Sequence, residues 1–211
     1  MAESATEVST PRPPAPGDGI ADPGPLGLAA FAMTTFVLSC FNSKLINNPG
    51  LEGVVLPLAL FYGGTVQLLA GMWEFRKGNT FGALAFSSFG AFWLSFFFYV
   101  KYVAATLLPA TDIHEATGLF LLAWGFFTAY MLLASLKTTM AVVAVFFFLT
   151  LTFIFLMFGA FDHSTAPVNG IQQIGGWLGL VTALCAWYAS CAGVVNSTWK
   201  RVVLPVGPLS R

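Results

Sequence analysis

Six long stretches of the chain contain no Asp, Glu, Lys or Arg: 23–43, 53–73, 78–100, 116–136, 138–161 and 164–199. A helix crosses the hydrocarbon core of a bilayer with about 20 apolar residues. A charge at its centre costs roughly 2.5–3.5 kcal/mol. Every charge lies between stretches, which avoids that cost six times. The pattern therefore predicts six transmembrane helices, near 26–46, 54–75, 80–102, 116–136, 139–161 and 171–195. The last stretch is too long for one span, and its first part, Ser164-Thr165-Ala166-Pro167-Val168-Asn169-Gly170, reads as a polar turn. A transmembrane strand would alternate with period two, and Ala144-Val145-Phe146-Phe147-Phe148-Leu149 does not. The expected fold class is an all-α membrane protein, with 22–197 as one transmembrane domain. Residues 1–21, rich in Pro, Ala, Ser and Thr, are expected to be a disordered tail, and 198–211 a second tail. The first tail lacks the charged start and apolar core of a signal peptide.

Composition agrees. Charged residues make up 9% of the 211, against roughly 25% in a soluble domain. So few charges cannot cover a water-facing surface, and the remaining environment is lipid. The formal net charge is zero, so there is no basic field to hold nucleic acid. The basic residues are distributed unevenly. Arg12, Arg76, Lys77, Lys137, Lys200, Arg201 and Arg211 fall on the side of the two tails, and only Lys44 and Lys101 on the other. That asymmetry predicts a multi-pass cell-membrane protein with both termini in the cytoplasm.

Several chemistries lack their residues. No lysine stands in mid-span for a retinal Schiff base, and no histidine for redox or metal work. The serines in the spans have no intramembrane His or Lys to activate them. No carboxylate sits in mid-span as in an ion pump. Cys40, Cys185 and Cys191 read as small apolar residues without ligand spacing. Neither enzyme activity nor a cofactor is expected. A path for a small solute, or a structural membrane protein, remains.

Some positions carry more information. Asp22-Pro23-Gly24-Pro25 reads as a helix start, with Asp22 as a cap and a proline in the first turn. Such an N-terminus is either a plain cap or an entrance touching an anion. Gln67 lies in mid-span and needs a partner helix or a wet cavity. Gly63, Gly64, Ala70 and Gly71 around it permit close helix approach. Glu74 stands beside Arg76 and Lys77 at a tight turn, either ion-paired with Arg76, Lys77 or Lys137, or as a proton-linked group. Phe86, Phe89, Trp93 and Phe96/Phe97 recur at helical spacing and share a helix face, as a lipid-facing or packing stripe or as a narrow constriction. Thr34 and Thr35 are expected to bond the preceding turn's carbonyls, and Asn42 to lie near the outer interface. Gly175 and Gly179 form a G-x-x-x-G pair for packing within or between subunits.

These motifs, taken in order, resemble the acetate uptake transporter family of bacterial succinate–acetate permeases and their fungal relatives. The resemblance rests on Asp22-Pro23-Gly24-Pro25-Leu26-Gly27-Leu28, Phe61-Tyr62-Gly63-Gly64, Lys77-Gly78-Asn79-Thr80-Phe81-Gly82, Ser88-Phe89-Gly90-Ala91-Phe92-Trp93, Trp124-Gly125-Phe126-Phe127-Thr128 and Val203-Leu204-Pro205-Val206-Gly207. It implies six helices per protomer, a homo-hexamer, a path inside each protomer, and acetate, with succinate in some members, as substrate. It implies a constriction at Phe31, Phe89 and Leu149, where Phe89 stands for the family's Tyr. It also implies an entrance at Asp22, Pro23 and Pro25, where Asp22 stands for the family's Asn. Thr34, Thr35, Asn42 and Gln67 are the candidate pathway residues, and Glu74 the candidate proton-linked one. The alternative reading is a channel for a neutral solute such as urea, an amide or ammonia.

Overall fold

The computed structural model describes residues 19–109, 112–162 and 168–209. The expected disordered tail therefore lies, up to residue 18, outside the described residues, as does His163. Six helices are long and apolar enough to cross a membrane. They are α1 (Gly24–Asn42), α2 (Pro49–Lys77), α3 (Thr80–Ala104), α4 (Ile113–Ser135), α5 (Met140–Phe161) and α6 (Gly170–Trp199). The charge pattern located all six. Helix α1 ends early because Ser43 and Lys44 turn the chain, Lys44 at φ 59°. Helix α2 starts early through the 3-10 turn Pro49–Val54, and α4 starts early enough to include His114 in its first turn.

The termini of the helices follow local chemistry. Asn79 accepts from Gly82 N–H at the start of α3, and Thr139 from Val142 N–H at the start of α5. Asn169 and Gln172 form a reciprocal capping box at the start of α6. Gly78 ends α2 in the left-handed region at φ 77°, which a glycine occupies without Cβ strain. Within α2, residues Leu58–Val66 widen into π-helical turns after Pro57, which has no N–H to donate.

Below those turns, Gln67, Ala70, Gly71 and Glu74 follow the i, i+3, i+4, i+7 spacing of one helix face and are all buried. Leu69, Trp73 and Phe75 on the opposite side are more than half exposed. Polar groups inside and apolar groups outside is the arrangement that a hydrocarbon solvent selects.

Around the bundle the order is α4–α5–α6–α1–α2–α3. Most neighbours pack closely through small residues. A Cβ at Gly176 would lie 2.1 Å from Ser43 N across α1–α6, one at Gly175 2.8 Å from Leu156 on α5, and one at Gly71 2.3 Å from Ser87 on α3. The Gly175/Gly179 pair thus packs within the protomer, with Gly179 against Ser39. Helices α3 and α4 meet differently, through aromatic rings. Phe92 stacks on Phe120 at 5.6 Å, and Phe89 meets Phe127 edge-on at 5.2 Å. The aromatic face of α3 points inward: Phe86, Phe89 and Trp93 are buried, so it is not a lipid-facing stripe.

The C-terminal residues are strapped down. Met140 and Ala141 N–H donate to Gly207 and Val206, Leu209 N–H donates to Thr138, and Asn196 holds the backbone of Val203 and Leu204. Residues 202–209 are therefore an ordered part of the bundle's end rather than a tail beyond it.

Close approach at α1–α6 makes a steric prediction. Gly176→Ala has to push Cβ into the Ser43 backbone, and overpacking of this kind costs about 1–3 kcal/mol. Gly170→Ala, with open space around it, is the control. In thermal unfolding of detergent-solubilised protein, Gly176→Ala should lower the transition and Gly170→Ala should leave it unchanged or raised. Equal behaviour would contradict the packing.

Candidate functional site

Two cavities enter the bundle from opposite ends. The near cavity, about 310 Å³, opens at the end where Pro25 packs against Ser190 and Gly193. The far cavity, about 390 Å³, opens toward Asn42, Glu52 and Ala104. Phe31 and Leu149 line both. Each is about 4% exposed, so between the cavities they form a thin apolar partition. Phe89 joins it from the near side, with its ring 5.7 Å from Phe31 and 6.1 Å from Phe146 and Trp124. All three residues of the expected constriction therefore come together. They belong to α1, α3 and α5, so no local sequence pattern could have joined them.

The expected pathway residues separate. Gln67 lines the near cavity, and Thr35 and Asn42 line the far one. Thr34 lines neither. It is fully buried, donates to Ala30 C=O at 3.0 Å, and bears on Gly63 of α2. Thr35 differs from expectation, because its hydroxyl makes no bond to the preceding turn and has no partner among the described residues.

The entrance group separates as well. Asp22 and Gly24 line the near cavity, but Pro23 and Pro25 do not. Asp22 accepts from Gly24 N–H at 3.2 Å and pairs with Lys77 at 2.7 Å, but the N-cap position of α1 is Pro23, without a side-chain capping bond, so Asp22 is not the cap that was expected. That ion pair is the only one among the described residues. It neutralises the carboxylate at the mouth and takes up the lysine nearest Glu74.

Glu74 has no ion pair among the described residues, contrary to the bland expectation. Its carboxylate is about 1% exposed, lines the near cavity and accepts from Asn79 Nδ2 at 2.8 Å. Small residues make room for it: a Cβ at Gly82 would lie 2.7 Å from Glu74 Cδ, and one at Gly24 3.5 Å from Oε1. Asn79 thus performs two tasks, capping α3 and holding Glu74. The cap was legible in the sequence as an Asn just before a helix; the contact to Glu74 was not. Sequence reasoning also did not single out Trp93 for its N–H, nor Phe146 and Phe92 as walls.

Charged groups in the cavity walls are acidic: Asp22 and Glu74 in the near cavity, and Glu52 at the far mouth. Among the described residues no lysine or arginine lines either.

Six apolar helices around two cavities that share Phe31 and Leu149 define a multi-pass membrane protein. Residues 6–211 match the GPR1/FUN34/yaaH family, and the chain belongs to that family. It is 43% identical over 198 residues to acetate permease A of Emericella nidulans, covering 88% of this chain and 65% of the permease. It is 37% identical over 193 residues to the succinate-acetate/proton symporter SatP of Escherichia coli K12, covering 89% of this chain and 96% of the symporter. The solved structure of the bacterial acetate channel SatP matches with a TM-score of 0.80 at 37% identity, over 89% of this chain and 99% of that one. The chain thus spans less than two thirds of the fungal relative and nearly all of the bacterial one.

The double role of Asn79 makes a graded prediction. Asn79→Ala loses the cap and leaves the Glu74 carboxylate unpartnered, costing about 1–3 kcal/mol. Asn79→Asp keeps a capping oxygen but sets two carboxylates side by side. Thermal unfolding at neutral pH should rank wild type above both, with Asn79→Asp recovering as pH falls and the carboxylates protonate. An Asn79→Asp protein as stable as wild type at neutral pH would contradict the contact.

Proposed function

We propose that this chain carries acetate and related short-chain carboxylates, succinate among them, along a path inside each protomer of a homo-hexamer in the cell membrane. The observation that carries the reading is the pair of cavities sharing Phe31 and Leu149. A path with wide vestibules and a single apolar partition sorts solutes by size and charge at that partition. The names of the relatives, acetate permease, succinate-acetate symporter and acetate channel, support the substrate class.

The wall chemistry supports a protonated substrate at the partition. An anion between Phe31, Phe89 and Leu149 would lose its hydration with no cation in the lining to replace it. The neutral acid loses far less. Passage is therefore proton-linked in stoichiometry, because each acid molecule brings its own proton, whether or not Glu74 relays it. Thr35, Asn42 and Gln67 supply hydrogen bonds on the two sides, and the Asp22–Lys77 pair presents a neutralised entrance. Apolar side chains exposed around the bundle, such as Phe61, Phe126 and Leu133, leave surface for lipid and for neighbouring protomers. The excess of basic residues on the side of the termini supports a cytoplasmic placement for both.

Uptake of labelled acetate into proteoliposomes tests the reading, with propionate, succinate, urea and ammonia as competitors. Acetate flux inhibited by the carboxylates and not by urea or ammonia is expected. Phe31→Ala should admit larger acids that the wild type excludes, raising their flux at least about tenfold, the effect of about 1.4 kcal/mol off a barrier. Inhibition by urea or ammonia alone would replace the carboxylate with a neutral solute. Unchanged exclusion of larger acids would remove Phe31 from the gate.

A further inference from the structure

An α-helix leaves its first N–H groups without partners inside the helix. At the start of α5 these groups are met from elsewhere in the chain. Val142 N–H donates to Thr139, but Met140 and Ala141 N–H donate to Gly207 and Val206 C=O, at 2.7 and 3.1 Å. Leu209 N–H donates to Thr138 C=O at 2.9 Å, and Pro208 bridges Thr139, so residues 206–209 run antiparallel to 138–141. Gly207, at φ 64°, permits this approach: a Cβ there would lie 3.0 Å from Met140 Cβ.

The other half of the same segment is tied to α6. Lys200 turns the chain at φ 53°. Asn196 Oδ1 then accepts from Val203 and Leu204 N–H at 2.7 and 2.9 Å, and its Nδ2 donates to Leu204 C=O at 2.8 Å. Tyr188 O–H donates to Pro205 C=O at 2.6 Å. Residues 203–209 are thus a strap from the end of α6 to the start of α5. Polar bonds hold it, since none of these residues is buried. Contacts of that kind lie at the low-stability end of a fold and open locally while the core stays closed. The strap also borders a wall of the near cavity, which Thr138, Thr139 and Val142 line.

We propose that residues 203–209 are a clamp on the near mouth. Seated, they fix the first turn of α5 as part of the near-cavity wall. Released, they leave Met140 and Ala141 N–H to water, the first turn frays, and the near cavity opens wider. Water at the mouth replaces the strap's carbonyls, so release leaves no buried donor unpaired. Asn196 and Tyr188 set the state of the clamp, because they carry the bonds that fix the strap to α6. Both are positioning residues, since neither lines the near or the far cavity. The clamp is separate from Phe31 and Leu149 and acts on any solute that uses the near cavity.

The test uses the full chain in lipid nanodiscs. In wild type, the amides of Met140, Ala141, Val203, Leu204 and Leu209 should exchange hydrogen together, and faster than the interior of α5. Exchange as slow as that interior, or at unrelated rates, overturns the clamp even if a variant fails to fold. Access is read with Leu28→Cys, in a background without the three native cysteines. That thiol lies in the near cavity on α1, so it reports the opening rather than the fraying of α5. Asn196→Ala and Tyr188→Phe should each speed its reaction with a membrane-impermeant thiol reagent. The increase for Asn196→Ala should be about tenfold, the effect of losing hydrogen bonds of ordinary net strength. Asn42→Cys, in the far cavity, should keep its rate in both variants. An unchanged Leu28→Cys rate in both variants overturns control of the mouth, whether or not the strap amides lose protection. Faster reaction at both thiols is general loosening and overturns it equally. None of these readouts depends on which solute is carried.

Discussion

The structure depends on one constraint: its solvent cannot hydrogen-bond. In hydrocarbon, every polar group has to find a partner inside the protein or lie beside a cavity that supplies one. Helix α2 shows the consequence most plainly. Gln67 and Glu74 are buried at the spacing a soluble helix would give to leucines, while Leu69, Trp73 and Phe75 face outward. Glu74 meets the constraint through Asn79. Thr34 and Thr128 meet it through their own helices. Among the described residues, the buried atoms that do not meet it belong mostly to residues that line a cavity.

Packing then decides where space remains. Glycines draw α1 against α6, α5 against α6 and α2 against α3 until backbones nearly touch. The space so gained is absent between α3 and α4, where rings of Phe89, Phe92, Phe120, Trp124 and Phe127 fill a wider gap. Phe89 of that layer lines the near cavity, and Phe92 and Phe120 line the far one. The same layer carries Phe89 to Phe31. The architecture thus comes from one choice, small residues at some helix contacts and large rings at another.

Much of this was legible from the charges alone. Six uncharged stretches yielded six helices, and the Gly78 turn and the proline-rich start of α1 fell where local chemistry puts them. The entrance was legible only in part: Asp22 bonds Gly24 N–H and a proline stands in the first turn, but Pro23 holds the cap position and Pro25 packs against α6. Glu74 invited an ion pair with Lys77, three residues along the same helix. Instead Lys77 reaches Asp22, 55 positions away, a contact that no periodicity reports. Thr34 and Thr35 are chemically identical neighbours with different fates, because a rotation of 100° about the helix sends one toward Gly63 and the other toward the far cavity. Trp93 read as one ring in a stripe, and only its surroundings expose its N–H as uncommitted. The constriction became legible through family resemblance, since its members come from three helices far apart in the chain.

A seal formed by Phe31, Phe89 and Leu149 would separate the two cavities from each other. It is tested most directly by cysteine accessibility. In a background with Cys40, Cys185 and Cys191 replaced, Val142→Cys places a thiol in the near cavity and Asn42→Cys one in the far cavity. Each is treated with a membrane-impermeant thiol reagent from one face at a time. With the seal in place, Val142→Cys reacts only from the face that carries the termini and Asn42→Cys only from the opposite face. Reaction of either thiol from both faces would contradict the partition.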